Sequence, residues 1–129
     1  MMLKLAQIAI ATLFAALIVP GPAPLLAAEE ISFEGDVFPI MELRCLECHQ
    51  PGGDGFKESG LDLSTYAGLM KGTKHGPIVV PGSALTSNFI VLVEGRAAPE
   101  LQMPHGRKKL SKCEKEMLRR WVNAGAEDN

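Results

Sequence analysis

Cys45-Leu46-Glu47-Cys48-His49 places two thiols three residues apart, with an imidazole directly after the second. Paired cysteines serve three chemistries: disulfide exchange, zinc coordination and covalent haem attachment. In the last of these, thiols at i and i+3 on one helical turn reach the two vinyl groups of a haem. The adjacent histidine then projects onto the iron. The competitors are weaker. A thioredoxin-like redox pair wants a βαβ setting, and none is visible in the chain. A zinc site needs four ligands. Cys45, Cys48, His49 and Cys113 make up that number, but a cysteine and the very next histidine rarely both face one metal. A disulfide across two intervening residues is tight and contributes little loop entropy. The pattern therefore favours one covalent haem c, anchored by Cys45 and Cys48, with His49 as the proximal iron ligand.

The sixth coordination position then needs a ligand or stays open. The neutral candidates after His49 are Met70, Met103, Met117, His75 and His105. Met117 falls on the inner face of the predicted last helix and Met70 at the end of a short one, so both read as core. Met103 lies in the loop Leu101-Gln102-Met103-Pro104-His105-Gly106, 54 residues after His49. The following proline favours an extended backbone there, and the intervening chain is long enough to wrap to the opposite haem face. Met103 is the expected distal ligand, with His75, His105 and an open position as alternatives. A thioether favours ferrous iron and raises the potential relative to two histidines. A six-coordinate iron leaves no place for substrate, which points to outer-sphere electron transfer rather than catalysis. Pro81 and Gly82 are expected on the proximal side, where a backbone carbonyl could accept from the His49 ring and fix its tautomer. Arg44 and Arg96 could pair haem propionates. Trp121 could face the haem or pack between helices.

The elements that must position these residues are short. Asp36 can cap a helix with Pro39 in its first turn, running into the Cys45–His49 motif. The glycine-dense stretch QPGGDGFKESG reads as a loop. Ser64 or Thr65 can start a helix through Met70, which Gly72 would end. An extended loop follows, and Ser83 or Thr86 can cap a helix through SNFIVLVEG. A second long loop, RAAPELQMPHGRKK, precedes the clearest helix, with Ser111 and Glu114 as a capping box and Gly125 at its end. Cys113, Met117 and Trp121 repeat there at i, i+4 and i+8. Cys113 is expected to pack as a small hydrophobe, with an intermolecular disulfide as the alternative.

The chain has 129 residues. Its start carries one charge, Lys4, and a largely apolar stretch from Leu5 to Val19. A membrane-spanning helix needs roughly 20 residues, and Pro20, Gly21 and Pro22 break this one. With Ala27 and Ala28 followed by acid, residues 1–28 read as a signal peptide. The alternative is an uncleaved N-terminal anchor. Residues 29–129 then form one exported domain with no stable membrane span. Covalent haem attachment takes place outside the cytoplasm, so export and motif agree. Without Lys4, the 13 basic residues become 12 against 15 acidic ones, and nothing suggests nucleic acid. Arg107, Lys108, Lys109, Lys112 and Lys115 form a basic cluster. It reads either as a solvated loop and helix start or as a docking face for an acidic partner.

The segments DVFPIMELRCLECHQPGG, SGLDLSTYAGLMKG, GPIVVPGSALTSNF and QMPHGRKKLSKCEKEMLRRWVNAGA resemble the planctomycete-type cytochrome c domain, a branch of the monohaem cytochromes c. The resemblance runs from Phe33 to Ala126. It rests on Val37/Pro39/Ile40, Cys45/Cys48/His49, Gly60/Leu61/Leu63, Pro81/Gly82, Met103/Pro104 and Trp121/Val122/Gly125/Ala126. It implies a mainly α fold: a cytochrome c-like bundle of short helices with long loops wrapped around one covalently attached haem, and Met103 as distal ligand. The function expected is that of a periplasmic c-type cytochrome, not itself an enzyme, carrying single electrons between redox partner proteins in the periplasm. The alternatives are a haem-bearing subunit of a larger periplasmic oxidoreductase and a haem-based ligand sensor. His75 departs from the family pattern, which usually shows a small residue there, and Cys113 is not part of that pattern.

Overall fold

The computed structural model describes residues 30–129. The expected signal peptide lies outside the described residues. The described chain is mainly helical and, apart from a single bridge between Thr73 and Gly76, has no strand. A π-helical turn at Phe33–Val37 leads into α1 (Phe38–Arg44). Then come α2 (Asp54–Ser59), α3 (Tyr66–Lys71), α4 (Asn88–Glu94), a 3-10 turn at Pro99–Leu101 and α5 (Lys112–Ala124). No described helix is long and apolar enough to cross a membrane.

Pro39 explains the wide turn before α1. It has no N–H for the carbonyl four residues back and its ring crowds that carbonyl. The chain before it takes i→i−5 bonds instead: Val37 N–H donates to Ser32 O at 3.2 Å, and Phe38 N–H donates to Phe33 O. Asp36 is not the cap. Ser32 is, its hydroxyl accepting from Gly35 N–H at 3.1 Å. α3 and α5 start as the sequence predicts. Thr65 Oγ1 accepts from Gly68 N–H at 3.0 Å. Ser111 and Glu114 form the reciprocal capping box.

Two segments differ from the sequence expectation. Part of QPGGDGFKESG folds as α2. Its glycines terminate a helix instead of preventing one: Gly53 precedes the first turn, where Asp54 complements the helix dipole, and Gly60 closes the last at φ +74°. α4 begins after Ser87, not after Ser83 or Thr86. The Ser87 hydroxyl is fully buried and accepts from Val80 N–H at 2.8 Å, which ties the start of α4 to the preceding loop.

The core gathers Phe33, Val37 and Met41 from the entry segment and Phe89, Ile90 and Val93 from α4. Leu118, Trp121 and Val122 of α5 pack into it, as do Leu69 of α3 and Leu110 just before α5. Trp121 packs against Phe33 at a centroid distance of 5.6 Å and donates from Nε1 to Glu127 O at 3.0 Å. Its role is therefore helix packing. Cys113 corrects the expectation of burial: it is exposed. Each helical residue turns about 100°, so Cys113 lies about 80° from Trp121 and about 140° from Leu118 around α5. The i, i+4, i+8 series drifts off the buried face by its far end.

Candidate functional site

α1 delivers the cysteine motif. Cys45 N–H donates to Met41 O at 2.8 Å, continuing the helix, and the turn then tightens: Cys48 N–H and His49 N–H both donate to Cys45 O, at 3.1 and 2.9 Å. This keeps Cys45, Cys48 and His49 on one wall of a cavity of about 460 Å³, within the range of small-molecule and cofactor sites. Two further bonds pin the motif from behind. Phe56 N–H of α2 donates to Cys48 O at 2.9 Å, and Leu63 N–H donates to His49 O at 2.8 Å.

Most of the cavity wall is apolar. Leu61 and Leu63 come from the segment bonded to His49, Ile78 from the following loop, and Phe89, Leu92 and Val93, at i, i+3 and i+4, from one face of α4. Met103, Pro104 and His105 enter from the second long loop. Met103 N–H donates to Leu92 O at 3.1 Å, which hangs that loop on the end of α4. The Met103–Pro104 peptide bond is cis.

His49 is set up for a ligand. Its Nδ1 is sealed from solvent without a hydrogen-bond partner. Burial pushes the imidazole pKa below its ordinary value, the backbone of Leu61 works in the opposite sense, and nearby His105 adds to the lowering. The ring is held neutral, the form in which a histidine binds a metal. Gly55 of α2 lies directly against it. A Cβ on Gly55 would sit 2.7 Å from His49 Cε1, so only glycine lets α2 approach the ring this closely.

Burial, aided by neighbouring Cys48 and opposed by Arg107 and Arg44, pushes the Cys45 thiol up to about 11. A thiol-exchange cysteine needs the reverse, a depressed pKa that supplies thiolate. Neither Cys45 nor Cys48 is in a disulfide. Among the described residues no cluster of three or more His, Cys, Asp or Glu could hold a metal ion, so Cys113 does not join the motif as a zinc set.

A sequence model of the family described as Planctomycete cytochrome C matches residues 45–105. This chain carries a planctomycete-type cytochrome c domain. The match starts on Cys45 and ends on His105, so the paired-cysteine motif and the Met103 loop stand at its two edges. No curated protein and no solved structure matches the chain. The cytochrome c family implies covalently bound haem c and a haem-based electron-transfer role. This cytochrome c domain fits such a group on its own geometry: an apolar cavity, two free thiols and a neutral imidazole on one wall, and a sealed ring nitrogen.

The other residues singled out from the sequence are placed as follows. Met103, His105 and Arg44 line the cavity. Pro81 does not. It is exposed in a turn whose Gly82 N–H donates to Val122 O at 2.8 Å, while the backbone that acts on the His49 ring is that of Leu61. His75 is also exposed and off the cavity wall. Arg96 is engaged elsewhere, donating to Ala84 O and Leu85 O. Gly55 and Leu92 belong to the cytochrome c site but were not anticipated. Leu92 could have been found from the helical repeat with Phe89 and Val93, whereas nothing in the sequence marks Gly55 apart from its neighbours.

Arg44, next to the motif, bonds Glu114 at 2.8 Å, with side chains 22% and 17% exposed. Burial would raise the Glu114 pKa, but the Arg44 guanidinium and Ser111 N–H overcome this and hold it down at about 2. A carboxyl depressed in the folded state stabilises the fold above its ordinary pKa, and that stability is lost as pH falls. The domain is expected to weaken between pH 4.5 and about 2, by about 1 kcal/mol for a pair this close to the surface. Thermal melts of Glu114→Gln across that window should lack this acid-dependent step.

Proposed function

We propose that this chain is an exported monohaem cytochrome c that carries single electrons. Cys45 and Cys48 are its thioether anchors, and His49 and Met103 its two axial ligands. The observation that supports this most is that all four residues, from segments more than fifty positions apart, line one apolar cavity. Haem, when bound there, supplies the one-electron ferric/ferrous couple. The chain's own residues do the rest. The cysteines fix the group, the neutral His49 ring and the soft Met103 thioether set the coordination, and the surrounding leucines, Ile78 and Phe89 exclude water. Burial and thioether ligation both favour the ferrous form.

On this reading the long loops wrap the haem and the chain is not itself an enzyme. Its donors and acceptors are redox proteins of the periplasm, either as free partners or as neighbours in a larger oxidoreductase. Ligation by His49 and His105 is the second reading, favoured by the place of His105 on the same cavity wall. An absorption spectrum of protein exported with haem decides between them. The expected result is sharp alpha and beta bands when reduced, and the weak red charge-transfer band of methionine–ferric iron when oxidised. A low-spin spectrum without that band would favour His105. Rapid carbon monoxide binding by the wild type would overturn the carrier reading in favour of a ligand sensor.

A further inference from the structure

Met103 is flanked by two carbonyls that share one cation. Lys109 Nζ donates to Pro104 O at 2.8 Å and to Gln102 O at 3.3 Å. Lys109 lies in the basic cluster that the sequence leaves open between a solvated loop and a docking face. Its ammonium instead turns back onto its own loop. An ammonium has three donors and no acceptor, and charge-assisted bonds are stronger than neutral ones. These two bonds hold the carbonyls of the residues before and after Met103, and the bond from Met103 N–H to Leu92 O holds the residue itself. The three bonds together fix the backbone from which the Met103 side chain reaches the cavity. Nearby Arg107 is used differently: it pairs with Glu47 inside the cysteine motif.

We propose that Lys109 is a positioning residue for the distal ligand, holding the Met103 backbone so that the thioether stays on the iron. This rests on the reading of Met103 as that ligand. Lys109→Met keeps the length and the apolar stem and removes the ammonium. In the haem-loaded protein the ferric charge-transfer band should disappear at a lower temperature than in wild type. Carbon monoxide association with the ferrous form should speed up at least about tenfold, the effect expected for loss of the shorter of the two charge-assisted bonds alone. Lys109→Arg, which keeps charge and donors, should restore most of the band. Lys109→Gln serves as a second neutral variant should the methionine variant express poorly.

A merely structural lysine would lower the melting temperature and leave the band and the carbon monoxide rate alone. That result, with a wild type that shows the band and a Met103→Ala variant that lacks it, overturns the role of Lys109 and leaves Met103 standing. A wild type without the band removes Met103 as ligand, and the proposal for Lys109 goes with it.

Discussion

Replacing Cys45 and Cys48 together by alanine is expected to abolish covalent haem and to leave a chain that does not hold its native fold. The first effect is chemical: no other cysteine borders the cavity, since Cys113 lies exposed on α5. The second follows from packing. Without haem, the apolar walls of a cavity of about 460 Å³ are left facing water, and the burial that the group would give them is lost. A small domain has a narrow stability margin from which to lose that burial. Haem-dependent peroxidase staining after denaturing electrophoresis should be positive for the wild type and negative for the double variant. Far-ultraviolet circular dichroism should show lost helix in the variant. Each single variant keeps one possible thioether and should still stain, more weakly. A double variant that stained like wild type would end the assignment of these cysteines as anchors. A wild type that never stains would reopen thiol chemistry, against the raised pKa of Cys45.

The helices of the domain differ in how openly the sequence announces them. α5 is the plainest, because its capping box, its apolar face and its terminal Gly125 all agree. The cysteine motif is equally plain, because its three residues are adjacent in the chain and local helical geometry brings them to one wall. Pro81 shows the limit. Which carbonyl lies near the His49 ring depends on how loops fold back, and the bond from Leu63 N–H to His49 O brings the Leu61 segment there instead. Gly55 shows it again, since its close approach to the ring is a contact between α2 and the motif. In α2 itself, glycines that read as loop residues serve as the ends of a six-residue helix. Composition alone does not separate those two uses.

Met103→Ala is expected to leave the haem covalently bound and change its iron chemistry. The cysteines and His49 come from α1 and the turn after it, while Met103 hangs from α4 by its backbone, so the anchor survives when the thioether is removed. The ferric charge-transfer band should vanish. The potential should fall, on the order of 0.1 V, within the roughly 0.8 V range that axial ligation commands. The direction follows because the soft thioether stabilises the ferrous state. Two outcomes then separate by carbon monoxide binding to the reduced variant. Fast binding means that the sixth position has opened. Slow binding with a low-spin spectrum means that His105, two residues along the same loop and on the same cavity wall, has taken the position; Met103→Ala combined with His105→Ala should then restore fast binding. A single Met103→Ala variant whose band and potential match the wild type would rule Met103 out as the ligand; among the described residues no other methionine lines the cavity.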